Sequence, residues 1–170
     1  MHWCKSIGIV GVLTSALVGI TTTPARATTT SLEMYARYQA TMTPDPSCTM
    51  LLVDSKGHVS GTPADGTWTD HECVNEVAHP GVLTIDGNAT IDEGNENKMF
   101  IRYHATASIV PSLPARLRPS GTFTVTGGTG RYARAIGGGS VTADVWLLGS
   151  KVLKPVTVPA MADLRGTIQY

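Results

Sequence analysis

The sequence predicts an all-β fold, a single antiparallel sheet closed into a barrel. Apolar residues recur at every second position in nearly every segment, and clusters of turn-forming residues separate those segments at short intervals. No stretch of about twelve or more residues carries a helical stripe. Strict alternation is what a sheet with one buried and one solvated face requires. Many short strands of this kind build a sandwich or a barrel. Closure is the better solution, because it removes the exposed edges that invite aggregation.

The first strand signal is LEMYARYQATM, in which Leu32, Met34, Ala36, Tyr38, Ala40 and Met42 share one face. Glu33, Tyr35, Arg37, Gln39 and Thr41 occupy the other. Asp54-Ser55-Lys56-Gly57 and Asp86-Gly87-Asn88 read as hairpin or loop chemistry, as does Glu93-Gly94-Asn95-Glu96. In KMFIRYHATA, Met99, Ile101, Tyr103, Ala105 and Ala107 alternate with Lys98, Phe100, Arg102, His104 and Thr106. Residues 109–120 hold three prolines and read as a loop or lid. Val141, Ala143, Val145 and Leu147 then alternate with Thr142, Asp144, Trp146 and Leu148. Residues 150–161 hold two more prolines and read as a second long connection. A last strand sets Leu164, Gly166, Ile168 and Tyr170 against Asp163, Arg165, Thr167 and Gln169.

The first 27 residues read as a signal peptide. Lys5 gives a positive start, IGIVGVLTSALVGI an apolar core and Ala25-Arg26-Ala27 a small-x-small cleavage site. The apolar run is shorter than the ~20 residues that span a bilayer. A secreted chain of residues 28–170 is expected, with no membrane attachment once the leader is removed; a retained signal anchor is the other reading. Loss of Lys5 and Arg26 leaves 11 basic against 13 acidic residues, a formal charge of −2. That argues against nucleic acid as a partner, because phosphate neutralisation requires clustered Lys and Arg. Residues 28–170 are enough for one domain with a real core.

Cys4 leaves with the leader, so Cys48 and Cys73 remain as an even pair in an oxidising compartment. A disulfide between them would close a loop of about 25 residues and contribute about 3 kcal/mol.

Residues 121–143, GTFTVTGGTGRYARAIGGGSVTA, read as a strand, a glycine-dense corner and a second strand. This stretch resembles the signature of bacterial proteins with an allene-oxide-cyclase-like β-barrel, relatives of the plant dirigent barrels. GTIQY at 166–170 and GNATIDEGNENKMFIRYHA at 87–105 support the resemblance more weakly. It implies that the glycine corner joins two adjacent strands, with Tyr132 and Ile136 capping one end of the barrel. Gly128-x-Gly130-x-x-Ala133 formally matches a dinucleotide fingerprint, but strands flank it on both sides and no helix follows.

The resemblance implies a cofactor-free isomerase or cyclase, a mould that folds a hydrophobic small molecule and steers its ring closure. A non-catalytic secreted binder of a lipophilic ligand is the alternative, as is an extracellular structural or interaction barrel plugged by its own side chains. Barrels of this kind often associate into homo-oligomers, although no residue here fixes a subunit number.

Tyr38 and Tyr103 lie on apolar strand faces and are the leading catalytic and ligand-binding candidates, with Met34 and Ile101 beside them as ligand contacts. The other reading of both phenols is core filling with locally satisfied hydroxyls. In Trp68-Thr69-Asp70-His71-Glu72-Cys73, alternation groups Trp68, Asp70 and Glu72 opposite His71 and Cys73. Asp70 and Glu72 are weaker catalytic candidates as a paired-carboxylate site; a solvated strand end beside a disulfide is the other reading. His71 and His79 lack zinc-ligand spacing, so no metal is assigned. Glu33, Arg37, Arg102, His104, Asp144 and Arg165 read as an outer polar face. Arg116, Arg118, Arg131 and Arg134 form a local basic concentration. No nucleophile elbow is present, which lowers any hydrolase reading.

Overall fold

The computed structural model describes residues 28–76, 82–111, 114–147 and 154–170. The leader read at residues 1–27 and His79 lie outside them. Eight strands follow one another: β1 (Thr29–Pro44), β2 (Leu51–Thr62), β3 (Gly66–Glu76), β4 (Val82–Asp92), β5 (Lys98–Val110), β6 (Ala115–Gly128), β7 (Ile136–Leu147) and β8 (Val156–Gln169). Each pairs antiparallel with the next, and β8 returns to β1 to close an eight-stranded up-and-down barrel. The closing ladder runs from Thr29 opposite Gln169 to Met42 opposite Val156. Among the described residues no helix is long and apolar enough to cross a membrane.

The period-two faces dictate the orientation of each strand. Leu32, Met34, Ala36, Ala40 and Met42 of β1 are buried, as are Met99, Ile101, Ala105 and Ala107 of β5. Glu33, Arg37, Arg102, His104 and Arg165 are exposed and Asp144 is half-buried on the outer side. Such cross-strand neighbours pair there: His104 Nδ1 lies 2.8 Å from Asp86 Oδ1, and Arg118 donates to Asp144 at 2.8 Å.

Two expected turns are strand instead. Asp54-Ser55-Lys56-Gly57 lies within β2 and Asp86-Gly87-Asn88 within β4, so neither is a turn. Both glycines lie where an inward tyrosine on the next strand needs space: Gly57 is opposite Tyr38 and Gly87 opposite Tyr103. The proline-rich segments also shrink, because β5 runs to Val110, β6 starts at Ala115 and β8 starts at Val156. Pro119 keeps its place opposite Ala107 of β5, while the β6–β7 ladder is interrupted beside it. Pro159 faces Gln39 of β1 just past the end of the β7–β8 ladder. A missing N–H is tolerated at such breaks.

The glycine corner seals one end. Gly130 (φ +55°) opens a 3₁₀ turn, Gly130–Tyr132, which folds Tyr132 into the barrel with no exposed surface. Burying a ring of this size contributes about 1.5–3 kcal/mol. Its hydroxyl donates to Pro63 O at 3.1 Å, and Arg131 ties the turn to Glu93 at 2.5 Å and to Pro63 O at 2.7 Å. Ile136, expected beside Tyr132 in the cap, is 61% exposed. It opens β7 on the outward register, opposite Gln169 of β8.

The interior therefore has two parts. Leu32, Met34, Val59, Ile91, Met99, Ile101, Phe123 and Val125 pack together with Tyr132 in one half. A second cluster, including Met42, Val53, Val74, Ile85, Leu117, Val145 and Val158, lines the other half. Tyr38 and Tyr103 touch both clusters and sit at the boundary.

Candidate functional site

A chamber of about 330 Å³ occupies the second half of the barrel. Its walls are apolar: Ala40, Met42, Val53, Val74, Leu83, Ile85, Leu117, Val145 and Leu147 all face it. Its floor is Tyr38, Trp68, Glu72 and Tyr103, at the level where the solid packing begins. The volume falls within the range of small-molecule pockets.

β3 supplies the acids. Its alternation turns Trp68, Asp70, Glu72 and Val74 inward, so the period that buries Trp68 and Val74 also buries Asp70 and leaves Glu72 half-buried against the chamber. Asp70 is only 7% exposed, which excludes the solvated strand end. Tyr103 reaches them from β5, two strands away. Its phenol crosses Gly87 on β4, the residue registered between Glu72 and Tyr103. A Cβ on Gly87 would overlap the Tyr103 ring. Tyr103 Oη then lies 2.6 Å from Asp70 Oδ2 and 2.5 Å from Glu72 Oε2. Beside this group the Tyr38 and Trp68 rings stack with centroids 6.0 Å apart.

Burial controls the protonation of the group. Loss of hydration raises the Glu72 pKa to about 7, against the opposing effect of the Tyr103 hydrogen bond. Asp70 is raised well above the usual carboxylate range, first by burial and then by the adjacent Glu72 charge. Burial and the two carboxyls push both Tyr38 and Tyr103 well above the ordinary phenol value. The tyrosines are thus neutral donors, and Glu72 exchanges a proton near neutrality. A buried acid of this kind gives up or accepts a proton where solvent acids of the same type would be fully ionised.

Of the residues expected to contact a ligand, Tyr38 and Tyr103 line the chamber, as does Glu72. Met34 and Ile101 are 3% and 1% exposed in the solid half and do not border the chamber. Trp68 is a wall residue that the sequence reading passed over as a site, although it shares a face with Asp70 and Glu72. Gly87 was also missed, because nothing local to Asp86-Gly87-Asn88 reveals a phenol two strands from its target.

Cys48 and Cys73 form the disulfide, with Cα atoms 5.3 Å apart. It anchors the segment before β2 to β3 next to Glu72, helped by Thr49 donating to Asn75 Oδ1 at 2.9 Å from its backbone N. Among the described residues no three His, Cys, Asp or Glu side chains converge as metal ligands. Three of the four arginines of the basic concentration are committed elsewhere: Arg116 and Arg118, on β6, face Asp144, and Arg131 pairs with Glu93. An eight-stranded barrel with an apolar chamber and an acid–phenol floor is the class of protein that fold and site define. The chain matches no family model and no curated protein.

Proposed function

We propose that this barrel is a secreted, cofactor-free isomerase or cyclase that shapes the ring closure of a hydrophobic small molecule. One observation carries the reading: Glu72 and Tyr103, hydrogen-bonded to each other, sit on the floor of an otherwise apolar chamber, and the same phenol holds Asp70, which does not itself line the chamber. Apolar walls hold a flexible substrate in a near-attack shape, an effect that reaches ~7–11 kcal/mol in well-oriented reactions. The acid pair delivers a proton to a substrate oxygen or accepts one from carbon, and Tyr38 and Tyr103 orient the polar end. Proton transfer of this type contributes a further ~10²–10⁴-fold.

The resemblance of residues 121–143 to allene-oxide-cyclase-like barrels supports the same assignment, and a closed antiparallel barrel is in keeping with it. The leader-like segment at 1–27 and the Cys48–Cys73 bridge support an extracellular location, because such bridges persist in oxidising compartments. A non-catalytic carrier of a lipophilic ligand is the second reading, favoured by the predominance of apolar side chains in the walls. A fully plugged barrel is disfavoured by the chamber itself.

Turnover separates the two. The protein is incubated with a lipophilic extract of the producing culture, and products of unchanged mass are sought by chromatography and mass spectrometry. The enzyme reading expects a new isomer, formed about 10²-fold more slowly by Tyr103→Phe. Recovery of a bound compound that never changes would establish the carrier instead.

A further inference from the structure

Among the described residues the acid pair has no positive partner inside the barrel. The groups that act on it from neighbouring strands are acids and phenols: Tyr38 from β1, Asp54 from β2 and Tyr103 from β5. β4 places Ala89 and Gly87 opposite Asp70 and Glu72, neither of them titratable. Among the described residues no Lys, Arg or His forms an ion pair with either carboxyl. A barrel that only filled its core would place apolar side chains here, since an uncompensated buried charge costs several kcal/mol.

Two further observations point to a ligand. Trp68 Nε1, on a residue that lines the chamber, is buried without a hydrogen-bond partner; so are Asp70 Oδ1 and Ser55 Oγ, registered opposite each other on β3 and β2 outside the chamber lining. The Tyr38–Trp68 stack also gives the chamber an aromatic wall beside Glu72.

Counting hydrogens sets the charge of the group. Tyr103 has one hydrogen, yet its oxygen makes two short contacts with carboxyl oxygens. It donates in one of them. The other contact is a hydrogen bond only when that carboxyl is protonated and donates to the phenol oxygen. At least one carboxyl is then neutral, so the group carries at most a single negative charge.

We propose that the chamber takes a hydrophobic monocation, an amine whose ammonium group sits on Glu72 and whose apolar body fills the space above. This rests on the reading of the chamber as a small-molecule site and adds the chemical class of the ligand. The ammonium supplies the missing counter-charge and donates to the Glu72 carboxyl; it leaves the Trp68 N–H, itself a donor, unpaired. The faces of Tyr38 and Trp68 add cation–π attraction. Ile85, Leu117 and Val145 accommodate the chain. A neutral ligand of the same shape gains only the apolar contact, and an anion is repelled.

The test compares n-octylammonium, n-octanol and n-octanoate by titration calorimetry at neutral pH, probes that share one chain and differ in head-group charge. Octylammonium is expected to bind at least about tenfold more tightly than octanol, with octanoate weakest. In Glu72→Gln the ammonium preference should disappear while octanol binding persists. Equal affinity for octanol and octylammonium, or a preference that survives Glu72→Gln, overturns the ligand class and leaves the chamber reading standing. Absence of binding by all three probes overturns both. Should the variant not fold, the comparison in the unaltered protein decides the matter.

Discussion

Tyr103 has one hydrogen to give and two carboxyls within reach, and that imbalance sets the chemistry of the chamber floor. Its hydrogen bond favours the ionised form of Glu72 and Asp70, while burial favours the neutral form and prevails. Removing the hydroxyl takes away the opposing influence. Tyr103→Phe is therefore expected to move the Glu72 titration above its midpoint of about 7, as read from the protonated-carboxyl band in an infrared pH titration. The loss of a hydroxyl that donates to one acid and accepts from the other should also cost about 1–3 kcal/mol of stability. An unmoved midpoint would mean that the phenol does not hold the pair. Both tyrosines were legible as inward residues, because alternation is a local property of the chain. The burial of the carboxyls was not: Trp68, Asp70 and Glu72 visibly share a face, but the level at which β3 crosses the barrel depends on all eight strands.

At the scale of the strand, β4 matters through what it lacks. Gly87 carries no side chain where the Tyr103 ring passes towards β3. Gly87→Ala is expected to displace the ring and to lower stability by about 1–3 kcal/mol in denaturant unfolding, the usual cost of overpacking. Tyr103→Leu in the Gly87→Ala background should recover part of that loss, a coupling that a double-mutant cycle measures. Additive losses would contradict the steric account. Gly57 and Gly87 were misread as turn residues for a physical reason. Asp-Gly-Asn and Asp-Ser-Lys-Gly have the local chemistry of turns, and only the tyrosine on the neighbouring strand shows the glycine's actual use. Pro119 and Pro159 misled in the same way, since a gap in a ladder is visible only once the ladder is assembled. The glycine corner was legible because its information is concentrated in one continuous stretch, with Ile136 the exception at its outward-facing end.

The whole barrel links the protonation of its floor to its stability. Glu72 has a folded-state pKa of about 7 against 4.5 for the ordinary group. The folded protein thus holds a proton that the unfolded chain has already released across that interval. Stability from this group is fully present below pH 4.5, falls as pH rises, and levels off above pH 7. Asp70, raised for the same reason, acts in the same direction. The full Glu72 interval corresponds to at most roughly 3 kcal/mol. Other carboxylates respond differently: Asp92, held below its usual range by Lys98, loses stability as the medium becomes acidic. A difference between two proteins that share those groups removes their effect.

Among the described residues the barrel interior holds an acid pair, Asp70 and Glu72, with no positive partner. The most direct test of this is the unfolding free energy of the native protein minus that of Glu72→Gln, measured across acid to neutral pH. The difference should shift steadily in favour of the glutamine variant between pH 4.5 and about 7 and be flat beyond. A difference that is level across that interval would show Glu72 to be solvated, and would contradict the account of the site.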